Sequence, residues 1–138
     1  MKKLFVLSIA ILFLLSACNE PKITSEQIEA AFAENGLELT ETEKNIDSIF
    51  GQRLNWEKPK VYDLNGRTLY LFLYRSSKGS DEGLEDFQKA TASMDLVSFN
   101  VYQKENALLF FVHEQSLDEK VVEDAYILKA LDEITVKE

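Results

Sequence analysis

Apolar residues are distributed along the chain in three ways. Residues 4–15 form an apolar run broken only by Ser8. Later segments space apolar residues by three and four, or alternate them with polar ones, and each spacing predicts an element. Thr24 and Gln27 make a capping box, and Ile23 with Ile28 fits a hydrophobic staple. With Ala31 and Phe32 at helical spacing and Asn35-Gly36 as a stop, these predict a helix over 24–35. Residues 37–43 alternate weakly and suggest a short strand. In 44–58, Ile46, Ile49 and Phe50 predict one apolar turn against the core.

Two β-rich runs, 60–64 and 67–74, flank Asn65-Gly66, the favoured dipeptide of a type I′ hairpin. In the second run Leu69, Leu71 and Leu73 share one face, and Tyr70, Phe72 and Tyr74 the other. A strand apolar on both faces belongs inside a covered sheet. Residues 96–103 alternate, with Val97, Phe99 and Val101 on the apolar face. Residues 107–113 are again apolar on both faces. Ser80 as cap, followed by Leu84, Phe87, Thr91 and Met94, predicts a helix over 80–94. Ser116 and Glu119 as a second capping box, with Leu117, Val121, Ala125, Leu128 and Leu131, predict one over 116–132.

Hairpins pair the first two strands and the last two, and the two-faced strands take the centre. The expected order is 60–64, 67–74, 107–113, 96–103. The helix 80–94 then closes a split β-α-β crossover. The expected fold is α+β: a four-stranded, antiparallel-rich, permuted ferredoxin-like sheet. Helices 80–94 and 116–132 are expected on one face, with helix 24–35 added.

The apolar run changes the picture of where the chain resides. Lys2 and Lys3 precede it, and Leu15-Ser16-Ala17-Cys18 ends it. The run is too short to span a bilayer stably. This stretch resembles the signal and lipobox of small bacterial lipoproteins. The resemblance implies a diacylglyceryl group on Cys18, palmitate being a typical acyl chain, and cleavage between Ala17 and Cys18. It implies a signal peptide over 1–17, a lipidated tether over 18–23 and a single domain over 24–138. The protein is then anchored on the extracytoplasmic face of the cell membrane. Asn19, in place of an Asp, fits a Gram-positive type. Cys18 is the chain's one Cys, so its acylation leaves no disulfide.

The signal holds two lysines and no acid, so the −9 of the whole chain becomes −11 after residue 17. Such a domain is repelled by an anionic leaflet and has no basic stripe for nucleic acid. Solubility alone accounts for this charge; a protein or peptide partner, a cationic one included, or a weakly held divalent cation also fits it.

Candidate chemistry is sparse. His113 is the one His and ends a strand. A lone His lacks the companions of a metal site. Ser76-Ser77-Lys78-Gly79-Ser80 lacks phosphate-loop spacing and reads as loop plus cap. Carboxylates cluster at Asp81, Glu82, Glu85 and Asp86, and at Asp118, Glu119, Glu123 and Asp124; both clusters read as solvated helix faces. No catalytic residue, metal or cofactor is assigned. Trp56 reads as a recognition anchor in a loop or as a lid over the end of the core. The expected function is a non-enzymatic partner- or peptide-binding module. Its candidate surface is Trp56, Tyr70, Phe72, Tyr74 and His113. The alternative is a small cell-surface enzyme or ligand carrier with a site near His113.

Overall fold

The structure is a computed structural model that describes residues 20–116 and 119–136. The expected signal segment, its cleavage site and Cys18 lie outside the described residues. Helix α1 spans Ser25–Glu34 and α2 spans Ser77–Thr91; α3 spans Val122–Glu133. The strands are β1 (Thr40–Glu41), β2 (Lys60–Leu64), β3 (Arg67–Leu73), β4 (Phe99–Lys104) and β5 (Ala107–Val112). They form one antiparallel sheet in the order β1-β2-β3-β5-β4. The class is α+β. The four expected strands stand in the expected order. β1 adds a fifth by pairing Thr40 with Asp63 and Glu41 with Tyr62.

The β2–β3 turn is the one the sequence announces. Leu64 pairs with Arg67 across Asn65 and Gly66, which hold φ of 53° and 81°. The centre of the sheet also follows the pattern. Leu69, Tyr70, Leu71 and Phe72 of β3 are buried, as are Leu108 to Phe111 of β5.

The helices depart from expectation. α2 and α3 lie on opposite faces of the sheet. Leu69, Leu71, Leu109 and Phe111 pack with Ile28 and Phe32 of α1 and Ile127 and Leu131 of α3. Tyr70, Phe72, Leu108 and Phe110 pack with Phe87 of α2 and with Phe50 and Leu54. The reason is the two-faced composition of β3 and β5. Two helices on one face would leave the other apolar surface in water, at ~25 cal/mol per Å².

Element boundaries shift for local reasons. α2 begins at Ser77, not Ser80, because Ser76 is the cap and accepts the Gly79 N–H at 3.0 Å. Ser80 sits inside the helix, buried, and gives its hydroxyl to the Ala107 carbonyl at 3.4 Å. Gly83 is also on the buried side, where an added Cβ would strike the Tyr74 ring. Met94 lies beyond the end of α2 and is exposed. α3 begins at Val122, so Ser116 and Glu119 do not cap it. Its inner side is Ile127, Ala130 and Leu131; Ala125 and Leu128 face outward. In β4 the buried side chain is Tyr102, and Val97 and Val101 are exposed.

Ile23, expected to precede the domain, belongs to the fold. It is buried in the core and joins the sheet through Asn106. The Asn106 Oδ1 accepts the Ile23 N–H at 2.6 Å, and its Nδ2 donates to the carbonyls of Ile23 at 3.1 Å and Tyr74 at 3.0 Å. The Asn106 carbonyl accepts the Tyr74 N–H at 2.9 Å. Asn106 is 2% exposed, so no water competes for these bonds. Replacing Asn106 by Ala strands one buried N–H and two buried carbonyls. We expect Asn106→Ala to lose roughly 2–4 kcal/mol in urea unfolding, with an unchanged slope.

Candidate functional site

Trp56 sits on a small turn at the start of the β2 approach. Leu54 and Glu57 exchange both backbone hydrogen bonds at 3.1 Å, closing a turn on Asn55 and Trp56. Both central residues have positive φ, 46° at Asn55 and 71° at Trp56. Asn accepts this conformation readily; Trp stands where Gly is the usual choice. Holding a Trp there costs about 1 kcal/mol or more.

The surroundings hold the strained turn. The Asn55 N–H donates to Asp86 at 2.8 Å, and its amide donates to the Gly79 carbonyl and to Glu82, each at 3.2 Å. Arg53 donates to the Trp56 carbonyl at 3.0 Å, and the buried Tyr74 hydroxyl donates to the Leu54 carbonyl at 3.1 Å. Every bond to Trp56 is through its backbone. Trp56 is 87% exposed. Trp56 is therefore displayed, and does not form a lid over the core. Shallow grooves border the turn through Arg53, one along Ile49, Leu54, Phe87 and Ala90, the other along Ile46 and Pro59.

Tyr70, Phe72 and Tyr74 do not join Trp56 on a surface. They are 1%, 0% and 5% exposed, and α2 with residues 49–54 covers them. Phe50 stacks on Tyr70 with ring centroids 5.7 Å apart, and Phe87 lies 4.4 Å from Phe110. The aromatic part of the candidate surface is a second core. Part of its cover comes from 44–58, which carries only brief apolar signals.

His113 lies at the other end of the sheet. It is buried beside an open cleft of about 340 Å³ that Lys44, Ser48, Arg67, Tyr70 and Glu114 also line. The Tyr70 hydroxyl donates to the Asn45 carbonyl at 2.9 Å and lies 2.8 Å from Ser48 Oγ. His113 Nδ1 accepts the Gln115 N–H at 3.1 Å. The neutral ring thus carries its proton on Nε2, which donates and cannot act as a base. Burial, then the Arg67 charge, lowers the His113 pKa. Among the described residues no carboxylate hydrogen-bonds this ring. The arrangement can bind an acceptor group; it does not assemble a proton-transfer pair.

The carboxylate clusters separate by environment. Asp81 and Glu85 are on the exposed side of α2, with Glu85 paired to Lys89 at 2.7 Å. The second cluster is not a solvated face, as the sequence suggested. Glu123 is 8% exposed and meets Arg67 at 3.3 Å and Asn65 at 3.2 Å. Asp124 accepts from Tyr102 at 2.6 Å and Asn100 at 3.1 Å. These bonds tie the first turn of α3 to the β2–β3 hairpin and β4, and the buried stripe of the helix differs from the predicted one. Asp118 lies outside the described residues. Among the described residues no group of three His, Cys, Asp or Glu is placed to hold a metal ion. Sequence reasoning missed Asn55 and Asn106. An Asn before Trp lacks the Gly that marks a turn, and an Asn in a hairpin loop reads as a loop residue.

Comparison of the chain with protein-family models, curated proteins and solved structures finds no match.

Because the Trp56 indole packs on little, Trp56→Gly releases backbone strain and removes few contacts. We expect thermal unfolding of that variant to show a gain of about 1 kcal/mol. His113 gives a pH signature of known sign. Its folded pKa is lowered, so the unfolded chain binds the extra proton first as pH falls through about 6.5. The His113 contribution is complete above that pH and is lost below it. His113→Asn keeps the acceptor for Gln115 and should flatten the fall in unfolding free energy as the solution is acidified through that range. An equally steep fall in both proteins would assign the acid sensitivity elsewhere.

Proposed function

We propose that this chain is a lipid-anchored extracytoplasmic lipoprotein that works by contact and not by catalysis. Cys18 carries the lipid after cleavage behind Ala17. Trp56 is the contact residue. The supporting observation is the turn itself: the domain stabilises a strained backbone through Asn55, Arg53 and Tyr74 to expose one large indole. Exposed Trp on a rigid support is the composition of an interaction anchor. Among the described residues no helix is long and apolar enough to cross a membrane, which bears on neither side of the anchor reading.

The sheet itself supports only part of the ferredoxin-like reading. β3, α2 and β4 form the split β-α-β unit, with β5 between the strands. We retain the permuted ferredoxin-like description for that unit and its strand order, not for helix placement. The second reading, a ligand carrier or enzyme at His113, draws on the polar cleft. The Nε2–H tautomer favours a carrier within that reading.

Two substitutions test the proposal in intact cells. Cys18→Ala should lose metabolic palmitate label and leave the membrane fraction. With Cys18 acylated, Trp56→Cys provides a lone free thiol. It should resist maleimide in cells and react after detergent, while Glu38→Cys, at an exposed loop position, reacts in both. Equal reactivity of the two thiols in cells would end the contact reading.

A further inference from the structure

The chain joins the sheet at one end. Ile23 is clamped by Asn106 in the β4–β5 turn and lies beside the end of β3. That end also holds the start of β2, since Lys60 pairs with Leu71, and the start of α2, where Ser77 donates to Glu105 at 3.3 Å. The Trp56 turn belongs to the same end. Trp56 stands four positions before Lys60, the first residue of β2, and Asn55 is tied to Gly79 and Glu82 in the first turns of α2 and to Asp86 further along it. The His113 cleft, the Asn65-Gly66 turn and the start of α3 occupy the opposite end.

Only residues 19–22 separate Cys18 from the clamped Ile23. Five extended steps reach at most ~17 Å. A lipid on Cys18 therefore brings the Ile23 end against the bilayer and points the His113 end outward. A gap of that size is thinner than a folded domain, whose radius of gyration alone is about 13 Å. The bilayer can reach that end; a globular partner cannot fit between them.

The chemistry of that end suits a headgroup layer. Trp is enriched at membrane–water interfaces, where an apolar ring with one N–H is at home. Arg53, Lys58, Lys60, Lys78 and Lys104 cluster on the elements that meet there, in a chain whose net charge is strongly negative. Long basic side chains reach phosphates while their stems cover apolar surface. Asp86 and Glu82, the acids that contact the turn, are engaged by Asn55. These carboxylates keep their charge, and Glu57, Asp81 and Glu105 stand on the same elements, so the indole, not net charge, is what suits the turn to the interface.

We propose that the Trp56 turn is a second membrane contact: it seats the indole in the lipid interface and fixes the orientation of the domain on the bilayer. The inference rests on the reading of Cys18 as the lipidated residue. It names the occupant of the Trp56 surface as lipid. Lipid on Cys18 supplies the affinity, and Trp56 supplies the direction, leaving the His113 cleft facing away from the membrane.

Trp56 is the one Trp in the chain, so its emission reports on this site alone. The full mature protein, purified with its lipid, is reconstituted in phosphatidylcholine–phosphatidylglycerol vesicles. Its Cys18 adduct is checked by mass. We expect a blue-shifted emission, strong quenching by acyl-brominated lipid and weak quenching by acrylamide. A Trp56→Phe, Val97→Trp double variant, with its indole at the opposite end, should show the reverse. Emission of the native protein quenched by acrylamide and not by brominated lipid overturns the proposal. If the thiol of the Trp56→Cys protein is nonetheless protected in cells, the contact reading stands and its occupant is a protein. An unmodified Cys18 would remove the anchor and the proposal together.

Discussion

The structure depends on two strands that have no polar face. β3 and β5 lie side by side at the centre and present apolar side chains above and below. Water must be excluded from both surfaces, and each surface needs its own cover. α1 and α3 supply one, and α2 with residues 49–54 supplies the other. The result is a three-layer arrangement with two separate cores, aliphatic-rich on one side and aromatic on the other. Helix placement follows from this demand more than from any property of the helices.

The polar groups follow the apolar ones. Once α3 lies over the sheet, its first turn approaches Arg67 and Tyr102, and Glu123 and Asp124 find partners there. Carboxylates engaged by those partners look, in sequence, like a solvated helical face. The same holds for Asn106. Its side chain closes three backbone bonds to segments 83 and 32 residues away, which no local pattern can announce. These bonds lock the position where the chain leaves the fold.

Stability and exposure are set against each other at Trp56. The backbone there would prefer Gly, and the side chain contributes little to the core. The domain keeps the residue through bonds from Asn55, Arg53 and Tyr74. The Tyr74 ring links this turn to the aromatic core, and the bare Gly83 makes room for that ring beneath α2. The display is built from the inside outward.

Local pattern was enough to name most of the elements and the order of the strands. Asn65-Gly66 dictates its turn, because both residues need positive φ, and the runs around it can pair in only one register. The Thr24–Gln27 box forms as read, since it needs only local geometry. The two-faced runs name the central strands, because alternation and its absence are short-range signals. Packing across the fold settled the rest. It placed α2 and α3 on opposite faces, closed the aromatic surface with α2 and a weakly patterned segment, set the acidic first turn of α3 against the sheet and left Trp56 exposed. Each of these outcomes depends on which surfaces meet across long separations in the chain. The periodicity of a helix tells that one side is apolar; only the sheet it covers settles which side, and where.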